Sequence, residues 1–213
     1  GASERAPRLA PSHLRAVRVL LETAAASLDN ALLLERAEAL SVTDDLTRLY
    51  NSRYLRRSLE RETQRRARSG RPLSLLFVDL DDFKRVNDDH GHLCGSRALV
   101  EVAAVLKGTA RGTDVVARYG GDEFAIILPD TGRDGALVVG ERVRRALAEH
   151  RFLTDEGLDI RLTASVGIAT LPDAARSVDQ LIQAADSAMY RVKDSGKNGI
   201  FVAESADTNH SLD

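Results

Sequence analysis

Apolar and polar positions along the chain follow two periods, one typical of strands and one typical of helices. Strands are predicted at residues 73–79, 114–119, 123–128, 160–169 and 200–202. Helices are predicted at residues 53–68, 93–107, 134–149 and 178–194, with Leu93, Leu99, Val102 and Leu106 facing inward on the second of them. This order predicts an α/β architecture with a central, mostly antiparallel sheet packed by helices.

A separate apolar stripe precedes these elements. Its residues are spaced alternately three and four apart: Leu14, Val17, Leu21, Ala24, Leu28 and Ala31. Heptad spacing of this kind predicts a parallel coiled coil. The alternative is a single amphipathic helix that lies on its own domain.

Composition narrows the class of protein. The chain has 213 residues, 43% of them hydrophobic, and a net charge of −2, which argues against nucleic acid or an anionic membrane surface as the main partner. The one cysteine, Cys94, excludes an internal disulfide and suits a reducing compartment. No apolar run reaches the length of a membrane span and no secretory signal is visible. We therefore expect a cytoplasmic enzyme domain.

The most informative segment is G-G-D-E-F at residues 120–124, between two apolar runs. Two glycines there predict a tight hairpin turn, and the carboxylates of Asp122 and Glu123 at its tip suit a hard cation that carries phosphates. Taken alone, the pentapeptide favours an ordinary hairpin with solvated acids. However, the strand at residues 73–79 also ends in an acid, Asp79. If that strand pairs beside the hairpin, Asp79, Asp122 and the Leu80 carbonyl meet at one edge, which predicts metal-dependent phosphoryl or nucleotidyl transfer.

Several further motifs make the chain resemble the GGDEF family, the diguanylate cyclases. They are D-D-L-T-R-L-Y-N at 44–51, D-L-D-D-F-K at 79–84, N-D at 87–88, G-H at 91–92 and A-M-Y-R-V-K-D-S-G-K-N at 188–198. The resemblance covers about residues 43–203. It implies the nucleotidyl-cyclase fold, related to the palm of polymerases. It also implies a signalling helix at 1–42, a catalytic domain at 43–203 and a disordered tail at 204–213, with a sensory domain upstream in the full-length protein.

The resemblance also implies catalytic roles. Asp79, Asp122 and the Leu80 carbonyl match the ligands of Mg²⁺ or Mn²⁺, two ions per site. Asp122 matches the acceptor of the ribose 3′-hydroxyl proton, and Glu123 helps to hold the metals. The expected phosphate-binding residues are Asp82, Phe83, Lys84, Gly121, Lys193 and Lys197. Lys84 also offsets transition-state charge, and Lys197 replaces the more usual arginine. For Lys193 and Lys197, the alternative to phosphate binding is a solvated helix end.

Base recognition is where the chain departs from the family pattern. Asn87 matches an asparagine that reads guanine, but Ser96 stands where the family has an aspartate. Aspartate only accepts hydrogen bonds and suits the donors of guanine, whereas serine donates and accepts and can face either purine. In having a serine at this position, the chain resembles the hybrid promiscuous branch of the family, which makes 3′,3′-cyclic GMP-AMP. We therefore expect both GTP and ATP as substrates. The alternative is neutral drift, with guanine held through Asn87 and water.

A second site is implied by R-G-T-D at 111–114, which is similar to the family's product-inhibition motif. Arg111, Asp114 and Arg142 are then expected to bind a cyclic dinucleotide, and a surface ion pair is the alternative. Ring formation from two nucleotides requires two domains face to face, so we expect a homodimer. A catalytically inactive cyclic-dinucleotide receptor is the second function class. It is disfavoured because the signature and Asp79 are intact.

Overall fold

The computed structural model describes residues 11–204, with the side chains of all but residues 11–14, 16, 17 and 32–40. The chain divides into two units between Ser41 and Val42. Helix α1 (Pro11–Leu40) belongs to the first unit, and the side chains of Leu21 and Leu28 on it are 65% and 62% exposed. Three parts of the sequence-based predictions lie outside what is described: residues 1–10 of the signalling helix, the side chains of Leu14 and Val17 in the proposed stripe, and residues 205–213 of the predicted tail.

The second unit is a six-stranded sheet packed by helices. Its helices are α2 (Ser52–Ser69), α3 (Phe83–His90), α4 (His92–Thr109), α5 (Arg133–Glu149) and α6 (Val178–Asp194). Its strands are β1 (Tyr50–Asn51), β2 (Leu73–Leu80), β3 (Val115–Gly120), β4 (Glu123–Pro129), β5 (Ala164–Leu171) and β6 (Ile200–Val202). The strand order is β1-β3-β4-β2-β5-β6, and only the β1–β3 and β5–β6 pairs are parallel. The predicted α/β class and mostly antiparallel sheet are confirmed.

Local chemistry sets where the helices begin and end. Asn51 caps α2 by accepting a hydrogen bond from the backbone N–H of Tyr54, and Gly70 ends the helix in the left-handed conformation at φ 71°. Such a terminus favours glycine because the residue has no Cβ. Ser177 caps α6 by accepting from the N–H of Gln180. Polar side chains therefore satisfy first-turn N–H groups at both helices.

Strand β2 is buried along its whole length because helices cover both faces of the sheet. Leu76, Val78 and Leu80 belong to the core shared with α3, α4 and α5. Leu75 and Phe77 belong to the other core, shared with α2 and α6. Since side chains alternate along a strand, Asp79 points to the same face as Leu75 and Phe77, which is the face covered by α6.

Helix α6 crosses the sheet unusually closely at Gly167 of β5. A Cβ on Gly167 would lie 2.0 Å from the carbonyl oxygen of Ala185 and 2.2 Å from the backbone nitrogen of Met189. Both atoms are helix backbone and cannot move aside, so any other residue would push the helix away. This contact fixes the height of α6 above the strands, and with it the position of its last turn beside β2.

Four details differ from the sequence-based predictions. Leu93 is 68% exposed rather than inward-facing. It lies on the solvent side of the first turn of α4, whereas the next residue, Cys94, is already buried in the core. The strand predicted at 160–169 begins at Ala164, because Ile160 forms only an isolated bridge with Phe152. Helix α3 was not predicted, since its two turns are mostly polar. The hairpin turn consists of Gly121, at φ 32°, and Asp122, while Gly120 is the last residue of β3.

Among residues 11–204, no helix combines the length and the apolar character that a bilayer span needs.

Candidate active site

The site lies where β2 leaves the sheet beside the β3–β4 hairpin. In the β2–β4 register Asp79 is directly opposite Glu123, and the Leu80 N–H donates to the Asp122 carbonyl at 3.3 Å. The strand does pair beside the hairpin, as the sequence analysis required for these acids to meet. Three carboxylates and the end of β2 therefore share one edge of the sheet.

Lys193, on the last turn of α6, faces these carboxylates. Its Nζ lies 2.7 Å from Oδ2 of Asp79, whose side chain is only 7% exposed. Burial raises the pKa of Asp79 above its ordinary value, Lys193 opposes that rise, and the charge of Asp122 adds to it. Burial also raises the pKa of Glu123, and Asp79 and Asp122 raise it further. Burial lowers the pKa of Lys193, but the hydrogen bond to Asp79 and the charges of Asp79, Asp122 and Glu123 together outweigh it, so the net shift is upward.

This donor set fits a magnesium ion. The described residues contain no group of three or more His, Cys, Asp or Glu side chains arranged to enclose a metal. Magnesium, however, is usually held by one or two protein carboxylates together with substrate phosphates. Asp79, Asp122 and the Leu80 carbonyl provide such hard oxygen donors. Burial is the main cause of the raised pKa values of Asp79 and Glu123, and the charges of neighbouring carboxylates raise them further. A divalent cation would favour the ionised form of both groups.

The predicted phosphate turn connects β2 to α3. Asp82 stands at the helix start in the left-handed conformation, φ 55°, and its side chain makes no capping bond to the helix. Phe83 and Lys84 are the first two helical residues. N–H groups in a first helical turn have no acceptor within the helix and are suited to bind phosphate oxygens. The turn thus places its amides and the exposed Lys84 directly after the end of β2 that carries Asp79.

A cavity of about 370 Å³ opens on the α3–α4 side of this turn. Its lining residues are Phe83, Lys84, Asn87, Asp88, His92, Gly95, Ser96, Leu99, Arg118, Gly121 and Asp122. Asn87 from α3 and Ser96 from α4 therefore line the same space as Asp122 and Gly121 of the hairpin. Gly95 permits this closeness, because a Cβ there would lie 2.0 Å from Oδ1 of Asn87.

Asp81 belongs to the D-L-D-D-F-K motif, and no function was predicted for it. In the structure it is buried, and its carboxylate accepts three hydrogen bonds. Its Oδ2 accepts hydrogen bonds from the Thr163 hydroxyl at 2.7 Å and the Asn198 N–H at 2.9 Å. Its Oδ1 accepts from the Ser165 hydroxyl at 2.7 Å. It thereby fastens the end of β2 to β5 and to the loop that carries Lys197. In that loop Lys197 donates to Oδ1 of Asp82 at 2.5 Å.

Arg118, two residues before the Gly-Gly pair, is a second residue that the sequence analysis missed. Its Nε and Nη2 donate to the Gly121 carbonyl at 2.9 and 2.7 Å, and its Nη1 bonds to Asp44 at 3.2 Å. Asp44 in turn accepts from the N–H and hydroxyl of Thr47 at 2.8 and 2.7 Å. The opening D-D-L-T motif therefore braces the hairpin tip. The available signal was the presence of Asp44 and Thr47 in that motif.

The proposed inhibition motif forms a surface turn before β3. The Asp114 carboxylate accepts from the backbone N–H of Arg111 at 2.8 Å, and the Asp114 N–H donates to the Arg111 carbonyl at 3.0 Å. The ion pair considered as an alternative is not among the bonds of the described residues, and Arg111 is exposed. Arg142 is exposed on α5. No recorded bond joins it to Arg111 or Asp114 within the described part of the chain.

Comparison with known proteins decides the family. The sequence model of the protein family described as diguanylate cyclase, GGDEF domain, matches residues 41–199. The chain belongs to the GGDEF family of diguanylate cyclases. Enzymes of this family are nucleotidyltransferases.

Among its relatives, the response regulator PleD of Caulobacter vibrioides is 36% identical over 168 residues, 78% of this chain and 37% of PleD. Diguanylate cyclase A of Treponema denticola is 34% identical over 184 residues, 85% of this chain and 48% of that protein. This GGDEF chain thus spans less than half of the length of these curated relatives.

Solved structures of GGDEF domains share the fold. The isolated GGDEF domain of YfiN from Pseudomonas aeruginosa is 32% identical with a TM-score of 0.73, covering 78% of this chain and 97% of that one. The coiled coil and GGDEF domain of DgcB from Caulobacter crescentus, solved with c-di-GMP, is 28% identical with a TM-score of 0.72. It covers 89% of this chain and 99% of that one.

Proposed function

We propose that this chain condenses two purine nucleoside triphosphates into a 3′,3′-cyclic dinucleotide and releases two pyrophosphates. The observation that carries the proposal is the meeting of Asp79 and Glu123 in one strand register, with Asp122 at the adjoining turn that also lines the cavity of Asn87 and Ser96. A purine held in that cavity extends its phosphates toward the α3 turn and the carboxylates. Family membership and the names of its relatives support cyclic di-GMP as a product.

Each residue of the site then has a defined task. Asn87 and Ser96 hold the purine edge, while the first-turn amides of α3 and Lys84 bind phosphate oxygens. Lys193 and Lys197 bind the terminal phosphates by exchanging their present carboxylate partners. Asp79, Asp122 and the Leu80 carbonyl hold Mg²⁺, with Glu123 in support, and the bound ions activate the attacking oxygen and stabilise the leaving group.

The reaction proceeds by two equivalent displacements. The 3′-oxygen of one nucleotide attacks the α-phosphorus of the other, the bond to pyrophosphate breaks, and Asp122 accepts the 3′-hydroxyl proton. Repetition in the other direction closes the ring. Each domain holds one nucleotide, so two domains must face each other in a two-fold dimer. A coiled coil formed by α1 would raise the local concentration of the two domains.

The basic experiment incubates the chain with GTP and Mg²⁺ and measures cyclic di-GMP and pyrophosphate. We expect two pyrophosphates per cyclic product and none from Asp122→Asn or in the presence of EDTA. Asp89→Asn, which changes an exposed acid of α3 that does not line the cavity, serves as the matched control. Binding of cyclic di-GMP without any synthesis would instead favour the receptor function.

We further propose a mixed product, cyclic GMP-AMP, on the basis of Ser96. Replacing a charged acceptor with a hydroxyl weakens guanine binding by about 1.5–3 kcal/mol, which is the scale that otherwise excludes adenine. With equal GTP and ATP we expect substantial cyclic GMP-AMP from the natural chain and only cyclic di-GMP from Ser96→Asp. Cyclic di-GMP alone from both proteins would show a strict diguanylate cyclase.

Product inhibition at the Arg111–Asp114 turn is a separate proposal. Its support is the exposed guanidinium of Arg111 beside a turn that its own backbone and Asp114 hold rigid. Arginine clamps phosphates and stacks on purines, and Arg142 would supply a third contact. Added cyclic di-GMP should inhibit the natural chain and should inhibit Arg111→Ala much less. Equal inhibition of both proteins would exclude the site.

A further inference from the structure

The Asp82 carboxylate, which pairs with Lys197, has no role of its own in the chemistry described so far. The two residues are 115 positions apart, and Lys197 Nζ lies 2.5 Å from Asp82 Oδ1. Both residues have positive φ angles, 55° and 65°, so the backbone on each side presents its side chain from a tightly turned segment. The pair bridges the phosphate turn and the loop that follows α6.

The Asp82 carboxylate is not needed for the helix that it precedes. An aspartate at a helix start ordinarily accepts a bond from a first-turn N–H, but the Asp82 side chain makes no such bond. Among the residues that the structure describes, Lys197 is its one hydrogen-bond partner. The Asp82 carboxylate is therefore held within the turn whose amides are proposed to bind phosphate. There it pairs with Lys197, the lysine proposed to bind the terminal phosphate.

The chemistry of the partner supports an exchangeable contact. Only four of the thirty cationic Lys and Arg residues of the chain are lysine: Lys84, Lys107, Lys193 and Lys197. Three of these four belong to the proposed phosphate site. An ammonium is a point charge on a flexible stem, and it changes partners more readily than a guanidinium fixed in a two-pronged geometry. The side chains of Lys197 and Asp82 are 40% and 66% exposed, so their pair is weak and breakable.

We propose that Asp82 is a resident competitor of the terminal phosphate for Lys197, and this inference rests on the proposed function. The carboxylate takes the place of a phosphate oxygen until a triphosphate arrives, and Lys197 then changes partner. When pyrophosphate leaves, Asp82 recaptures the lysine and so assists release. Asp82 thereby lowers affinity for triphosphate and pyrophosphate alike.

A purely structural tie predicts the opposite result. If the pair served only to fasten the loop to the turn, its removal would loosen Lys197 and weaken phosphate binding. Competition predicts that Asp82→Asn frees the lysine and tightens binding. The sign of the change therefore separates the two roles.

The test measures binding of the non-hydrolysable analogue α,β-methylene-GTP, with Mg²⁺, by calorimetry. Asp82→Asn should bind it about two- to fivefold more tightly than the natural chain, the range expected for removal of one exposed ion pair. The gain should shrink at high salt. It should be absent in a Lys197→Met background, where the lysine is no longer available. Pyrophosphate should inhibit Asp82→Asn at correspondingly lower concentration.

The matched control is Asp89→Asn, which removes a negative charge from α3 that pairs with Arg85 instead. This variant should bind the analogue as the natural chain does. Unchanged or weaker binding by Asp82→Asn would overturn the inference, as would an equal gain from Asp89→Asn or in the Lys197→Met background. If the natural chain does not bind the analogue, the proposed function fails, and the inference fails with it.

Discussion

Replacement of Asp81 should show how the loop that carries Lys197 is held in place. This carboxylate is 7% exposed, and its three hydrogen bonds join the end of β2 to Thr163, Ser165 and Asn198. Asn198 and its neighbour Lys197 both have positive φ, at 44° and 65°. Such conformations persist in residues other than glycine only where the surrounding structure enforces them.

The structure distinguishes two substitutions at this position. In Asp81→Asn the amide oxygen can still accept from Thr163 and Asn198, while the new NH₂ donates to the Ser165 hydroxyl, which can rotate. In Asp81→Ala all three donors lose their acceptor, and Ser165 is fully buried. Hydrogen bonds to charged acceptors contribute about 1.5–3 kcal/mol each and are not additive, so Asp81→Ala should lower the free energy of unfolding by about 3–4 kcal/mol. Asp81→Asn should cost about 1 kcal/mol.

Urea denaturation measures the loss in the free energy of unfolding for both variants. The slope of that free energy against urea concentration should be the same as in the natural chain. Nucleotide binding should follow the same order, because loss of Asp81 releases the loop that carries Lys197. Ser165→Ala is the control that removes one donor and leaves the carboxylate in place. A loss below about 1 kcal/mol in Asp81→Ala, or equal damage from both Asp81 variants, would refute this account of the loop.

Three further substitutions test other parts of the site. Glu123→Gln should stabilise the protein by about 0.5 kcal/mol at neutral pH. The raised pKa of Glu123 in the folded protein means that its ionisation destabilises the fold, and glutamine removes that cost. The gain should therefore disappear in thermal melts at pH values below the ordinary glutamate pKa, where the glutamate is protonated in both the folded and the unfolded chain. Gly95→Ala should weaken GTP binding about tenfold in calorimetry, because its Cβ displaces Asn87, and unchanged affinity would contradict this. Arg118→Ala should cost about 2 kcal/mol in urea titrations, and Arg118→Lys should not restore it, since one ammonium cannot reproduce the forked contact with Asp44 and the hairpin.

Much of the fold follows from local pattern. The continuous apolar run of β2 predicts a strand covered on both faces, and helices α2, α5 and α6 lie within one residue of the predicted bounds. Helix α3 escaped prediction because its two turns are mostly charged. Strand β5 was predicted to begin at residue 160 rather than at Ala164, because Ile160 and Leu162 alternate with polar residues as in a strand. Both side chains are buried in the core, but they belong to an irregular segment.

The site divides in the same way. The sequence predicted that Asp79 meets the hairpin acids only if the two strands pair, and the register between β2 and β4 meets that condition. The pairing of Lys197 with Asp82, and of Arg118 with Asp44, could not be predicted. These contacts join residues 115 and 74 positions apart, and their partners are set by tertiary packing rather than by local sequence.

The central claim is that two of these domains together close a ring from two nucleotides. The most direct test measures cyclic di-GMP formed from GTP and Mg²⁺ by mass spectrometry over a series of protein concentrations. We predict that the rate per chain rises with protein concentration and levels off once the chain is dimeric, and that Asp122→Asn forms no ring at any concentration. Absence of cyclic product at concentrations where the chain is dimeric, or a rate per chain independent of assembly, would contradict the account.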